Sequence, residues 1–315
     1  MNAEPPLVTW LYVPGDRPDR FAKALASGAD AVILDLEDAV LADAKDRARR
    51  NVLDLLADLT GPDTGRPRVH VRVNAPRGPH GARDLAALAD LPAGDRPDAV
   101  RVPKVDGPDD VDLVVRRLGE GTAVHALLET AAGVQNAAAT ARHPAVRALA
   151  LGEADLAAQL GLRGGADHAW LRSGVVLAAA AAGLPRPAMS VYPDVRDTDG
   201  LAASCRAGRD IGMFGRTAIH PRQLPVIRAA FTPTEEEVAR AREISEAAAG
   251  GVADGAGAVA LADGRFVDAP IVESARRTLA LADHLSRSPH AGRLTRPDAD
   301  RAPGRPSRGQ APASG

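Results

Sequence analysis

Eight short apolar runs, separated by stretches of helical character, recur between residues 9 and 221. They are TWLYVPG (9–15), AVILDLED (31–38), RVHVRVN (68–74), AVRVPKV (99–105), AVHALLET (123–130), VRALALGEAD (146–155), PAMSVYP (187–193) and MFGRTAIHP (213–221). Several are continuously apolar rather than alternating, as strands covered on both faces must be. Between them lie stretches such as RPDRFAKALASG (17–28), closing on Gly28, and PDDVDLVVRRLG (108–119), with apolar residues at helical spacing. Strand and helix in strict alternation demand a parallel sheet. Eight such units suit a (β/α)₈ TIM barrel of the α/β class. A doubly wound open sheet is the alternative, but no GxGxxG follows the first run to support it.

Beyond the eighth run the pattern changes. PTEEEVARAREISEAAA (233–249) offers Thr234 as an N-cap with acids in the first turn. A Gly-rich stretch (250–270) and a further helical pattern, IVESARRTLALADHL (271–285), follow. The expected layout is a catalytic barrel over 1–232, a helix-loop-helix lid over 233–285, and a disordered tail over 286–315 rich in Pro, Arg, Ser and Gly.

Bulk properties exclude several classes of function. The formal net charge of -2 gives no electrostatic reason to bind nucleic acid or an anionic membrane surface. With one cysteine, Cys205, there is no intrachain disulfide and no cysteine metal cluster. Cys205 stands in an Ala-rich stretch and reads as a small buried residue rather than a nucleophile. The first residues do not form a signal peptide, and no run reaches the length of a membrane span, so a cytoplasmic protein is expected.

The ends of the runs are where polar residues gather: Gly15-Asp16-Arg17, Glu37-Asp38, Arg72, Asn74, Lys104, Glu129, Asp155, Tyr192 and His220. In a parallel barrel the strand ends on one face hold the active site. Glu129 and Asp155 close two consecutive runs, and two carboxylates so placed can hold a hard cation such as Mg²⁺. Each residue also has a plainer reading. Asp38 would cap the next helix, Lys104 would neutralise a neighbouring acid, and Arg17, Arg20 and Lys23 would form a solvated helix face or meet phosphates. For Arg72, Glu129 and Asp155 taken together, a site is the better reading, since buried charge is costly unless paired or bound to metal.

LYVPGDRPDRFAKAL (11–25), DLEDAV (35–40), VRVNAP (71–76), VPKV (102–105) and LLETAAGV (127–134) together resemble the citrate lyase β-subunit-like proteins. These belong with the malyl-CoA and citramalyl-CoA lyases in the HpcH/HpaI aldolase superfamily. LGEADLAAQLG (151–161), IHPRQ (219–223) and DGRFVDAP (263–270) continue the series in order, over roughly residues 8–285. The resemblance implies a TIM barrel, Mg²⁺ held by Glu129 and Asp155, and Arg72 on the substrate. It places Tyr12, Arg20, Lys23 and Lys104 near the acyl-CoA or its acid. It also implies that Asp268 enters a neighbouring subunit's site as acid/base, within a homotrimer or a multiple of one. Without the resemblance, Asp268 is a turn residue before Pro270. The chain departs from the family at Arg216, where lysine is frequent, and no role is given to that residue; His220 is read as a structural, hydrogen-bonding histidine.

The expected activity is Mg²⁺-dependent, reversible C–C cleavage of a β-hydroxyacyl-CoA (malyl-, citramalyl- or citryl-CoA-like) to an acyl-CoA and a 2-oxo acid. Arg72 would stabilise the thioester enolate oxygen, and Asp268, or failing that Asp38, would shuttle the proton. Two alternatives stand beside it. One is a citrate lyase β subunit acting on citryl-acyl carrier protein within a complex. The other is a non-catalytic acyl-CoA-binding barrel.

Overall fold

In the computed structural model, residues 6–59, 65–163, 168–253, 259–260 and 265–287 are described. Seven of the eight apolar runs contain strands: β1 Thr9–Pro14, β2 Ala31–Asp35, β3 Arg68–Arg72, β4 Ala99–Val102, β5 Val124–Leu128, β6 Val146–Leu151 and β7 Arg216–Ala218. They form one parallel sheet in the order β6-β5-β4-β3-β2-β1-β7. The run at 187–193 is reduced to single bridges, Ala188 with Ala150 of β6 and Met189 with Arg216 of β7. Prolines at 185, 187 and 193 account for the reduction, because proline donates no ladder hydrogen bond. Against β7 the segment is nevertheless well held: Met189 N donates to Gly215 O at 2.9 Å and Thr217 N to Met189 O at 3.1 Å. The sheet therefore curls until both its edges meet this one short segment.

Period-2 alternation divides each strand between two environments. Leu11, Val13, Val32, Leu34, Val69, Val71, Val100 and Val102 belong to the large buried core shared with the helices. Trp10, Ala31, Ile33 and Ala188, with Tyr12 against them, form a separate cluster on the other, inner face. Cross-strand register then fixes what else faces inward. Ile33 pairs with His70 and Asp35 with Arg72; Arg72 pairs with Arg101, and Arg101 with His125.

The helices follow their sequence signals. Pro108–Leu118 opens on Pro108, carries Asp109 and Asp110 in its first turn and Arg116 and Arg117 in its last, and buries Val111, Val114 and Leu118. Each such side chain contributes about 1.5–3 kcal/mol of apolar burial. Gly28, after the helix Phe21–Leu25, has φ +85°, the left-handed conformation that suits glycine. Thr234 and Glu237 form a reciprocal capping box, Glu237 N to Thr234 Oγ1 at 3.1 Å and Thr234 N to Glu237 Oε2 at 2.8 Å. The helix they open, Glu235–Ala253, packs with Ala269–Arg287 around Ala241, Ile244, Val267 and Ala275. Arg209, on the helix Thr198–Asp210, ties this pair to the sheet's helical layer through Glu237 at 2.7 Å, and Leu285 joins the main core. The tail from 288 on, and most of the Gly-rich stretch between the two helices, lie outside the described residues. No described helix is long and apolar enough to cross a membrane.

Candidate active site

All seven strands are parallel, so the segments that follow them rise on one rim of the sheet. Glu129 directly follows β5 and is buried, 3% exposed. Its Oε1 accepts the backbone N–H of Lys104 at 3.0 Å. Lys104, just after β4, has φ +52° and is the one non-glycine with positive φ among the described residues. That strained backbone turns its N–H toward Glu129, a cost of the kind that persists only where surroundings enforce it. The Lys104 ammonium reaches Glu37 Oε1 at 2.7 Å and Glu129 Oε1 at 3.5 Å.

Arg72 is held harder than its sequence position suggests. Its Nε and Nη2 donate to the two oxygens of Asp35 at 2.7 and 2.6 Å, a bidentate pair. Its Nη1 lies 3.0 Å from Glu37 Oε2, and its guanidinium stands over the Tyr12 ring at 4.8 Å. Lys45, nearly buried, donates to the carbonyls of Leu36 and Glu37 at 2.7 and 2.6 Å and stiffens the turn after β2. Asn74 Nδ2 donates to Leu36 O at 2.8 Å. A cleft of about 230 Å³ opens beside these groups, with Glu37, Asp38, Lys45, Asn74 and Lys104 in its wall.

The electrostatics follow from burial and crowding. Burial, then the charge of Glu37, pushes Glu129 up to about 7 against the pull of Lys104, with Asp155 adding to the rise. Burial also raises Glu37 despite Arg72 and Lys104. Burial pulls Lys104 down, but the hydrogen bond it donates to Glu37 and the charges of Glu37 and Glu129 outweigh it, and the ammonium is held above its ordinary range.

Asp155 departs from expectation in one respect. It does not end a strand: β6 stops at Leu151, and Asp155 lies exposed in the first turn of the helix Glu153–Leu160. The physical reason is Gly152, which breaks the run, after which acids in a first turn favour the helix. Asp155 still stands within electrostatic reach of Glu129. Gly152 is itself part of the site. A Cβ there would overlap Glu129 Cβ and lie 2.6 Å from its Oε2.

The remaining expected residues divide. Tyr12 and Lys104 join the cluster. Asp38 is exposed in the cleft wall. Arg20 and Lys23 lie exposed on the turn and helix after β1, and Arg17 pairs with Asp19 at 2.9 Å. Asp268 caps the helix Ala269–Arg287: its Oδ1 accepts from Ile271 N at 3.3 Å and its carbonyl from Val272 N at 3.0 Å. Arg216 is buried toward the helix Thr198–Asp210, donating to Ser190 O, Ser204 Oγ and Cys205 Sγ. His220 is exposed and accepts Arg222 N through Nδ1, a local structural bond. Reading the sequence missed Asp35, Glu37 as a bridging acid, and Gly152. The alternation Ile33-Asp35-Glu37 was the signal for the first two.

The site's fit to a divalent cation can be judged from its donors. Glu129 Oε2 and both Asp155 oxygens take no hydrogen bond or ion pair among the described residues. No group of three or more His, Cys, Asp or Glu among the described residues is placed to hold a metal. Two hard oxygen ligands with room for water and substrate are what Mg²⁺ takes, and softer metals are not suited.

The chain is 38% identical to a (3S)-malyl-CoA thioesterase of Cereibacter sphaeroides over 284 residues, covering 89% of this chain and 96% of the relative. It is 33% identical to an L-malyl-CoA/beta-methylmalyl-CoA lyase of the same species, covering 88% and 94%. Its fold matches CitE from Mycobacterium tuberculosis, solved in complex with magnesium, acetoacetate and coenzyme A, with a TM-score of 0.73 at 35% identity over 88% of this chain and 98% of that one. Residues 185–263 match a family described as C-C bond lyase of the TIM-barrel fold. Residues 9–221 match the model of HpcH/HpaI aldolase/citrate lyase, and the chain belongs to that family of carbon–carbon lyases.

Proposed function

We propose that this protein is a Mg²⁺-dependent lyase that cleaves a β-hydroxyacyl-CoA reversibly to an acyl-CoA and a 2-oxo acid. The observation that carries the reading is the pair Glu129 and Asp155, whose uncommitted oxygens stand beside the Arg72–Glu37–Lys104 network. Its fold is then a (β/α)₈ barrel whose eighth stave is the bridged segment at 188–189, with the helices Glu235–Ala253 and Ala269–Arg287 as its lid.

Glu129 and Asp155 would hold Mg²⁺. When bound, the ion supplies Lewis-acid stabilisation to the oxygens of the oxo-acid portion. Lys104 keeps Glu129 oriented through its backbone N–H. Arg72, clamped by Asp35, retains N–H groups on Nη1 and Nη2 that can donate to the thioester oxygen as negative charge develops there. A carboxylate takes the hydroxyl proton, the C–C bond breaks, and its electron pair passes to the thioester as an enolate, which is protonated at carbon. Asp268 of a neighbouring subunit would fill that role in a homo-oligomer. Asp38, in the cleft wall, is the candidate within the subunit.

The test is a panel of acyl-CoA and 2-oxo acid pairs incubated with the protein and Mg²⁺, with mass spectrometry for the condensed thioester. Condensation abolished by EDTA supports the reading; no condensation with any pair overturns it. Hydrolysis is a second reading, supported by the similarity to the (3S)-malyl-CoA thioesterase. A β-hydroxyacyl-CoA would then give free CoA and the hydroxy acid, with no acyl-CoA and no oxo acid. Assaying a carrier-protein thioester alongside the CoA thioester separates the citrate lyase subunit alternative, and binding without turnover would mark a non-catalytic barrel.

A further inference from the structure

We propose that Arg101 is a specificity residue that receives a second carboxylate on the oxo acid, so that the preferred acid is dicarboxylic. This rests on the lyase reading for the acid's presence in the site. Arg101 is 3% exposed on the inner face of β4. It pairs in register with Arg72, and both guanidiniums face the Tyr12 ring, at 4.8 Å for Arg72 and 5.8 Å for Arg101.

What sets Arg101 apart is the absence of an acceptor. Its Nε is buried with no hydrogen-bond partner, and among the described residues its side chain makes no hydrogen bond or ion pair. The other arginines at comparable depth each have an acceptor. Arg72 has Asp35 and Glu37. Arg228 has Asp30 at 2.7 Å. Arg216 has a carbonyl, a hydroxyl and a thiol.

Among the described residues no acid forms an ion pair with Arg101, and the two imidazoles beside it supply no negative charge. His70 and His125 meet edge-on, ring centroids 4.6 Å apart. Burial, with the charge of Arg101 behind it, holds His70 at about 3. Burial, His70 and Arg101 hold His125 well below its ordinary value. Both rings are neutral at physiological pH. A buried guanidinium with nothing to neutralise it is strongly disfavoured, and its planar fork matches a carboxylate. An oxo acid held at the rim would present a second carboxylate to the inner face where Arg101 stands beside Tyr12. On a monocarboxylic acid the same position carries hydrogen or methyl and leaves Arg101 uncompensated.

The experiment is calorimetric binding of oxaloacetate, 2-oxoglutarate, pyruvate and glyoxylate to the full-length protein with Mg²⁺, for wild type, Arg101→Met and Arg101→Lys. Wild type should bind a dicarboxylic acid at least about tenfold tighter than either monocarboxylic one. Arg101→Met should weaken the dicarboxylic acid by about a hundredfold while moving pyruvate by less than about threefold. Arg101→Lys should recover part of the loss. Equal weakening of all acids in Arg101→Met, or a wild type that binds pyruvate or glyoxylate as tightly as the dicarboxylic acids, overturns the proposal. The wild-type comparison decides even if Arg101→Met does not fold. Mg²⁺-dependent binding without that preference refutes Arg101's role alone, whereas no Mg²⁺-dependent binding of any oxo acid refutes the lyase reading beneath it.

Discussion

The outer face of the sheet presents Leu11, Val13, Val32, Leu34, Val69 and Val71 to the helices. The inner face of the same strands presents Trp10 and Ala31 in one row, Tyr12, Ile33 and His70 in the next, and Asp35, Arg72, Arg101 and His125 in the row after that. A single step along a strand exchanges one environment for the other. The outer face follows chiefly a volume rule of close packing, and its few buried polar groups, such as Thr9 and Arg216, are hydrogen-bonded where they stand. The inner face follows a charge rule, in which each cation is assigned an acid, a carbonyl or, for Arg101, a ligand. Substitutions should therefore separate: outer ones change stability, inner and rim ones change chemistry.

The largest effect that would break this division is at Asp155. Its carboxylate is exposed and has no partner among the described residues, so Asp155→Ala should leave the melting temperature of the metal-free protein within a degree or two. Turnover should fall by about a thousandfold or more, the scale of losing a transition-state charge stabiliser, and added Mg²⁺ should no longer raise the melting temperature. Full activity in that variant, insensitive to EDTA, removes Asp155 from the site. The opposite behaviour is expected at Leu34, which is fully buried on the outer face. Leu34→Ala should cost about 2–5 kcal/mol in denaturant unfolding, with unchanged turnover per folded molecule. A loss of turnover without a loss of stability would show that the faces are not independent.

A smaller effect sharpens the boundary between the two rules. Gly152 contributes no functional group, yet a methyl there would overlap Glu129. Gly152→Ala should preserve the fold and weaken Mg²⁺ binding by about tenfold, since a carboxylate displaced by a fraction of an ångström loses the geometry that Mg²⁺ demands. Unchanged affinity would mean that Glu129 has room to move and is not a ligand held in place.

How far these features were legible in the sequence depends on which rule governs them. The outer face was readable, because continuous apolar runs announce buried strands, and seven of the eight runs contain one. The run at 187–193 was not, because apolar content conceals what its prolines do to the ladder. Glu129, Arg72 and Lys104 were visible as charges closing apolar runs. Asp35 and Arg101 lie inside such runs, at 31–38 and 99–105, and were absorbed into the strand pattern. They acquire meaning only through cross-strand register, which local pattern does not encode. Gly152 was invisible for a related reason: its importance lies in a contact with Glu129, just after β5 and twenty-three positions earlier in the chain. Asp268 was read through family resemblance, or without it as a turn residue before Pro270, and within one chain it caps the helix Ala269–Arg287. Removing that carboxylate by Asp268→Ala and assaying cleavage alongside Mg²⁺ affinity separates a cap from an acid/base. Cleavage lost with affinity intact supports the second role.

The mildest prediction concerns pH, and it tests whether Glu129 belongs to the charge rule. In the metal-free protein its carboxyl titrates at about 7 rather than the ordinary 4.5. Between those values the folded state holds a proton that the unfolded state has lost. The stability from this group is thus full below 4.5 and disappears as pH rises through 7, a total on the order of 3 kcal/mol. A bound cation reverses the preference, because it takes the carboxylate form that burial and Glu37 oppose. Below 7 it must displace a proton, and its affinity should fall by about tenfold per pH unit. The rise in melting temperature produced by saturating Mg²⁺ at pH 8 should therefore shrink steadily toward pH 5.5. Glu37, Arg72 and Lys104 remain beside Glu129 in both conditions, so the comparison with and without metal isolates the one carboxylate. In Glu129→Gln the dependence should vanish together with the metal effect. A Mg²⁺ increment equal at pH 5.5 and pH 8 in wild type would place the ion elsewhere on the rim.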